Sequence, residues 1–311
     1  MTLGSNQEDH TADQCRVFVS RLPETTLFVR KDATSLPVKP CSSVAHQELL
    51  PQRQQNLIQS YLERIYTAAK EIEQAGGKCL PCIVDVRDET SVKKAIDETV
   101  KKFGGIDILI NNASAISLTP SEQTDMKRYD LMHSINTRGT FLLSKLCIPL
   151  LKKGKNPHIL NISPPLDMSP KWFAPHVAYT MSKFGMSMCV LGMHEELRDD
   201  GVAANTLWPR TMVWTSAVEN VLYSGENKNE VRNASRKPEI MADAAYLILK
   251  KPSRAFTGQF LIDDTFLASE GLKPQDFLQY AYDPNVSPSL DFFVPDQYPD
   301  PMQNWSRQSK I

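Results

Sequence analysis

From residue 78 onward the chain alternates between two apolar periodicities, and this limits its possible folds more than any other feature. Short continuous apolar runs read as buried strands at 78–86, 106–110, 158–163, 202–207 and 259–262. Between them apolar residues recur at helical spacing. Val92, Ala95, Ile96 and Val100 do so within 91–103, and longer stretches follow at 125–151, 177–197 and 242–250. A further helix, with Ile65, Ala68, Ala69 and Ile72 on one face, stops at Gly76-Gly77. Strands alternating with helices of this length predict an α/β fold, a doubly wound parallel sheet covered on both faces. Such sheets bind ligands beyond the carboxyl ends of their strands. Asp85, Asn111 and Ser163 all fall at expected strand ends.

The first 64 residues break this pattern. Of 13 glycines in the 311-residue chain, only Gly4 precedes Gly76. The segment is rich in Ser, Thr, Gln and Pro, with two strand-like runs at 16–20 and 26–30. Five residues separate those runs. A parallel crossover needs about a dozen or more. Residues 1–64 therefore read as a poorly structured N-terminal segment and 65–272 as the folded domain. Residues 273–311 read as a Pro-rich extension, an irregular strap or a partly mobile tail.

With 35 Lys+Arg against 36 Asp+Glu, the net charge of −1 argues against binding nucleic acid through bulk positive charge. No apolar stretch reaches the roughly 18 residues of a membrane span. Glu8, Asp9, Asp13 and Glu24 interrupt any secretory signal. Six scattered cysteines fit a reducing compartment. Cys79 and Cys82 have redox-motif spacing, but they lie in an apolar run and no second pair completes a metal site.

Tyr179 and Lys183 stand four residues apart on one expected helix, hence on one face. A free phenol ionises near ~10, and an adjacent ammonium lowers that value by favouring the phenolate. Tyr179 could then exchange a proton with a substrate oxygen while hydride moves on carbon. Ser163, ending the preceding strand, could hydrogen-bond the same oxygen. The spacing alone is weak, because Tyr66/Lys70 and Tyr246/Lys250 share it. What separates Tyr179 is its context: a Ser-ended strand 16 residues upstream and Asn111-Asn112-Ala113 before that.

These linked motifs, with Leu80–Asp88, Gly105–Ser117, His158–Leu166 and Gly185-Met-Ser-Met, resemble the short-chain dehydrogenase/reductase family over about three quarters of the chain. The resemblance implies a Rossmann-like sheet and a nicotinamide cofactor, NADP ahead of NAD. Asp85 would meet the adenine, and Asn111 would brace the sheet beside the ribose. Asn136 would anchor a relay water at a helix kink. Ser163, Tyr179 and Lys183 would be catalytic, with Lys183 also holding the nicotinamide ribose. Thr211, in Pro209-Arg210-Thr211, would approach the nicotinamide amide, with Arg210 replacing the family's usual Gly. His176, beside Tyr179, reads as a structural histidine. Trp172 and Phe173 would border an apolar, fatty-acyl or steroid-like substrate, or simply fill the core. A homodimer through 125–151 and 177–197 is implied in the same way.

One departure stands out. The family opens with strand, Gly-rich turn, helix and strand, and that turn cradles the pyrophosphate. Here the glycine count excludes the turn, so the unit reads as missing or replaced, with 16–20 and 26–30 as remnants of its strands. A catalytically inactive isoform, acting as an interaction or structural protein, is the rival reading. A sterol-carrier-type domain follows in the nearest likeness, and this chain is expected to stop before it. The terminal Ser309-Lys310-Ile311 is near the Ser-Lys-Leu address, so a peroxisome or mitochondrion is expected, with cytoplasm as the alternative.

Overall fold

The computed structural model describes residues 16–19, 27–29, 66–215, 218–219 and 227–302. The rest of 1–65, and 303–311 with Ser309-Lys310-Ile311, lie outside the described residues. The strands are β1 (Arg16–Val19), β2 (Leu27–Val29), β3 (Lys78–Pro81), β4 (Ile108–Asn111), β5 (His158–Ile162), β6 (Ala203–Trp208) and β7 (Phe260–Ile262). The helices are α1 (66–74), α2 (Glu89–Phe103), α3 (Met126–His133), α4 (Thr140–Leu151), α5 (Pro170–Phe173) and α6 (Val177–Glu196), then α7 (Lys228–Asn233), α8 (Glu239–Lys250) and α9 (Asp263–Ser269).

β4, β5, β6 and β7 form a parallel ladder in that order, as their continuous apolar runs predict. Every residue of β6 is buried. One core fills the face under α2, α4 and α6, with Leu109, Ile159 and Val190 at its centre. A second lies under α8 and α9, with Leu160, Leu207 and Ile248.

The N-terminal strands complete the sheet in an unexpected direction. β1 runs parallel to β3, but β2 runs antiparallel to β4. The two lie side by side. The connection is seven residues, 20–26, too short for a crossover helix. The chain must turn back, so the otherwise parallel sheet carries one reversed strand.

Two other elements depart from the periodicity. The run 78–86 is a strand only as far as Pro81, where its partner β1 ends at Val19 and proline offers no N–H to continue a ladder. The stretch 125–151 is not one regular helix. Asp125 caps α3 through Lys127 N–H, but residues Ser134–Gly139 form a π-helical turn before α4. Gly185 of α6 faces that turn so closely that an added methyl would collide with the Thr137 side chain. No described helix is long and apolar enough to cross a membrane.

Leu109, fully buried on β4, anchors the first core. Leu109→Ala should cost about 2–5 kcal/mol in urea unfolding. Phe141→Ala, at a side chain 53% exposed, should stay within about 0.5 kcal/mol.

Candidate active site

The carboxyl ends of β4, β5 and β6 meet the first turns of α6, and buried amides lock them together. Asn111 ends β4; its Nδ2 donates to Ser144 Oγ of α4 at 3.1 Å and to Asn161 Oδ1 of β5 at 2.8 Å. Asn161 Nδ2 in turn donates to Met186 O of α6 at 3.0 Å. This relay fixes α6 over the sheet.

Ser163 follows β5 directly. It is fully buried, and its Oγ has no hydrogen-bond partner among the described residues. Tyr179 and Lys183 occupy successive turns of α6 and are 5% and 3% exposed. Lys183 Nζ donates to Ile162 O at 3.2 Å, the carbonyl just before Ser163, and sits 5.1 Å from the Trp208 ring centroid. The Tyr179 ring meets His176 at 5.7 Å and Phe293 at 6.0 Å. His176 Nδ1 lies 3.0 Å from Thr180 Oγ1, and burial holds this imidazole below the usual histidine range.

Asn136 sits within the π-helical turn. Its Oδ1 accepts from Ala115 N–H at 2.7 Å, and its Nδ2 donates to Ala115 O and Ser182 Oγ, both at 2.9 Å. π-turns often occur at functional sites. Here the turn swings an amide between the loop after β4 and the Tyr179 helix, which an unbroken helix would not do. Helical periodicity in the sequence gave no sign of it.

Thr211 is also buried, with an Oγ1 that has no partner among the described residues. The neighbouring Arg210 guanidinium is held by Asp264 at 2.8 Å, Thr265 Oγ1 at 2.6 Å and the carbonyls of Tyr298 and Pro299. Asp263 beside it accepts from Arg210 N–H and Asp264 N–H. Burial, reinforced by Asp264, pushes the Asp263 carboxyl up to about 7. Sequence reasoning missed this cluster; the signal available was two adjacent aspartates directly after a strand. A cleft of ≈ 630 Å³ opens beside it, lined by Thr211, Ser235, Arg236, Phe277, Leu290 and Met302, and does not reach Ser163 or Tyr179.

Asp85 lies on the loop after β3, with β1, β2 and β4 between it and the Ser163 strand. Its carboxylate is bound by Arg87, with contacts of 2.6–3.1 Å, at the surface. The structure thus brings Asn111, Asn136, Ser163, Tyr179, Lys183 and Thr211 to one edge around β4–β6, with Asp85 further along it.

Sequence reasoning offered an irregular strap for the C-terminal extension without its contacts, which the structure supplies. Met212 N–H donates to Ser289 O at 2.9 Å and Asp291 N–H to Arg210 O at 2.8 Å. Trp208 Nε1 donates to Phe292 O at 2.7 Å. The paired aromatics Phe292-Phe293 within a Pro-rich tail were the only trace of these contacts.

An α/β sheet of this order, with a Ser-ended strand facing a Tyr–Lys helix, defines a dehydrogenase-type fold. The sequence matches the short chain dehydrogenase family over residues 48–223, and the chain belongs to that family. It is 58% identical over 236 residues to hydroxysteroid dehydrogenase-like protein 2 of Danio rerio, covering 76% of this chain and 55% of the relative. The Homo sapiens protein of that name is 54% identical over 239 residues, covering 77% and 55%. The chain spans about half the length of the curated relatives it matches. A solved short chain dehydrogenase from Mycobacterium thermoresistibile is 49% identical, with a TM-score of 0.69, covering 76% of this chain and 83% of that one.

The raised Asp263 carboxyl has a thermodynamic consequence. A folded value of about 7 against an ordinary 3.8 favours the protonated form in the fold. Its contribution to stability is full below 3.8 and is lost as pH rises to about 7. Urea unfolding across that window should show the decline, and Asp263→Asn should remove the share due to Asp263.

Proposed function

We propose that the chain is an NAD(P)-dependent oxidoreductase that interconverts an alcohol and a carbonyl on an apolar, lipid, fatty-acyl or steroid-like substrate. One observation carries the reading. Lys183 Nζ is bonded to the carbonyl next to Ser163, so the Tyr–Lys face of α6 and the end of β5 converge on one buried point. Around that point Ser163 Oγ and Thr211 Oγ1 are buried polar atoms without partners among the described residues. Buried hydroxyls ordinarily find partners, and a carbonyl substrate and a nicotinamide amide would supply them.

The fit to a nicotinamide cofactor is good at this end. Lys183 would hold the ribose, Thr211 the amide, and Asn111 the sheet beneath. When bound, the cofactor supplies or accepts hydride. At the phosphate end the connection between β1 and β2 contains no glycine, so no glycine turn cradles a pyrophosphate there. Asp85, paired with Arg87, would face the adenine. NADP is proposed ahead of NAD.

The residues' own chemistry follows. Ser163 Oγ–H donates to the carbonyl oxygen and stabilises charge developing there. Tyr179 transfers its phenolic proton to that oxygen during reduction and takes it back during oxidation. The Lys183 ammonium stabilises the phenolate left behind. Asn136 holds Ala115 and Ser182 so that the Tyr179 turn of α6 keeps its distance from the loop after β4. Trp172 and Phe173 offer an apolar border suited to a lipid-like substrate.

The glycine-free connection favours a second reading, a scaffold that neither binds dinucleotide nor turns over. A test on the full chain separates the two. NADPH or NADH at 100-fold over Kd should add about 2.7 kcal/mol of stability, seen as a rise in Tm. Turnover of an apolar ketone should fall by at least about 10²-fold in Tyr179→Phe, with the Tm rise retained. A cooperatively folded chain showing neither binding nor turnover is the scaffold.

A further inference from the structure

The C-terminal strap enters the site used by the proposed function. After pairing with 210–212, the chain turns sharply at Phe293, the one described non-glycine residue with positive φ, 64°. A phenylalanine is strained there, and such strain persists only where the surroundings over-determine it. They do so here. The Phe293 ring is fully buried among Trp172, His176, Tyr179, Phe184 and Trp208, with centroids 5.5–6.0 Å away. The turn aims this ring at the phenol that the mechanism needs. The carbonyl before it, Phe292 O, takes the indole N–H of Trp208, whose ring lies under the Lys183 ammonium.

We propose that this strap is part of the active site, with Phe293 a positioning residue for Tyr179. The proposal rests on the reading of Tyr179 and Lys183 as the proton-transfer pair. Phe293 fixes one face of the phenol ring and His176 meets it from the N-terminal side of α6. The C-terminal extension would therefore fix the orientation in which Tyr179 meets a substrate oxygen.

The test uses the full chain. Phe293→Leu, read by NADPH-dependent reduction of decan-2-one, should lower kcat about tenfold with little change in KM, and Phe293→Tyr, which keeps the ring, should recover most of the loss. A folded Phe293→Leu with unchanged kcat overturns the proposal and leaves the strap as packing. If Tyr179→Phe turns over as fast as the unaltered chain, the proton-transfer reading fails, and the strap has nothing to position.

Discussion

Everything at the candidate site depends on the buried amide relay from Asn111 through Asn161 to the Met186 carbonyl. Besides the Lys183 ammonium on Ile162 O, α6 meets the sheet here through an apolar face that would allow it to slide. Two directional bonds of 2.8 and 3.0 Å prevent that. Breaking either would leave a buried amide without a partner, which costs about 1–3 kcal/mol. The relay therefore sets the register of α6, and with it the height of Tyr179 and Lys183 over Ser163. The π-helical turn extends the constraint, because Asn136 ties the loop after β4 to Ser182 on the same helix.

The N-terminal part of the sheet shows how a lost connection is accommodated. A parallel sheet needs a long crossover between neighbouring strands, and seven residues cannot supply one. β1 keeps parallel pairing with β3, while β2 pairs with β4 only by reversing its direction. β1 still runs toward the carboxyl edge, but the chain leaves it through a sequence without glycine. The nicotinamide half and the phosphate half of the proposed site are therefore separable here, and the residues proposed for proton transfer sit in the half that the relay holds.

The sequence made β4, β5, β6 and α6 legible because each is buried on a regular period, with turn residues at its ends. Tyr179, Lys183 and Ser163 were legible for a related reason: strand end and helix face place them without knowledge of the loops. The π-turn was not, since Ser134–Gly139 keeps the apolar spacing of a helix and differs only in hydrogen bonding. A strap was one reading of the Pro-rich extension, but its path was illegible because Phe293 reaches Tyr179 through an irregular turn with no period to read. Arg210 was read only as the replacement for the family's usual Gly, whereas Asp264, 54 residues later, claims its guanidinium. Long-range ion pairs of that kind leave no local signature.

The separability of the two halves is the central claim, and paired calorimetric titrations of the full chain test it most directly. One uses NADPH and the other reduced nicotinamide mononucleotide, which lacks the adenylate and the pyrophosphate bridge. If the relay-held half does the binding, the two dissociation constants will agree within about tenfold, or 1.4 kcal/mol. NADPH binding tighter by several orders of magnitude would contradict the account. It would show that the glycine-free connection holds the phosphates after all.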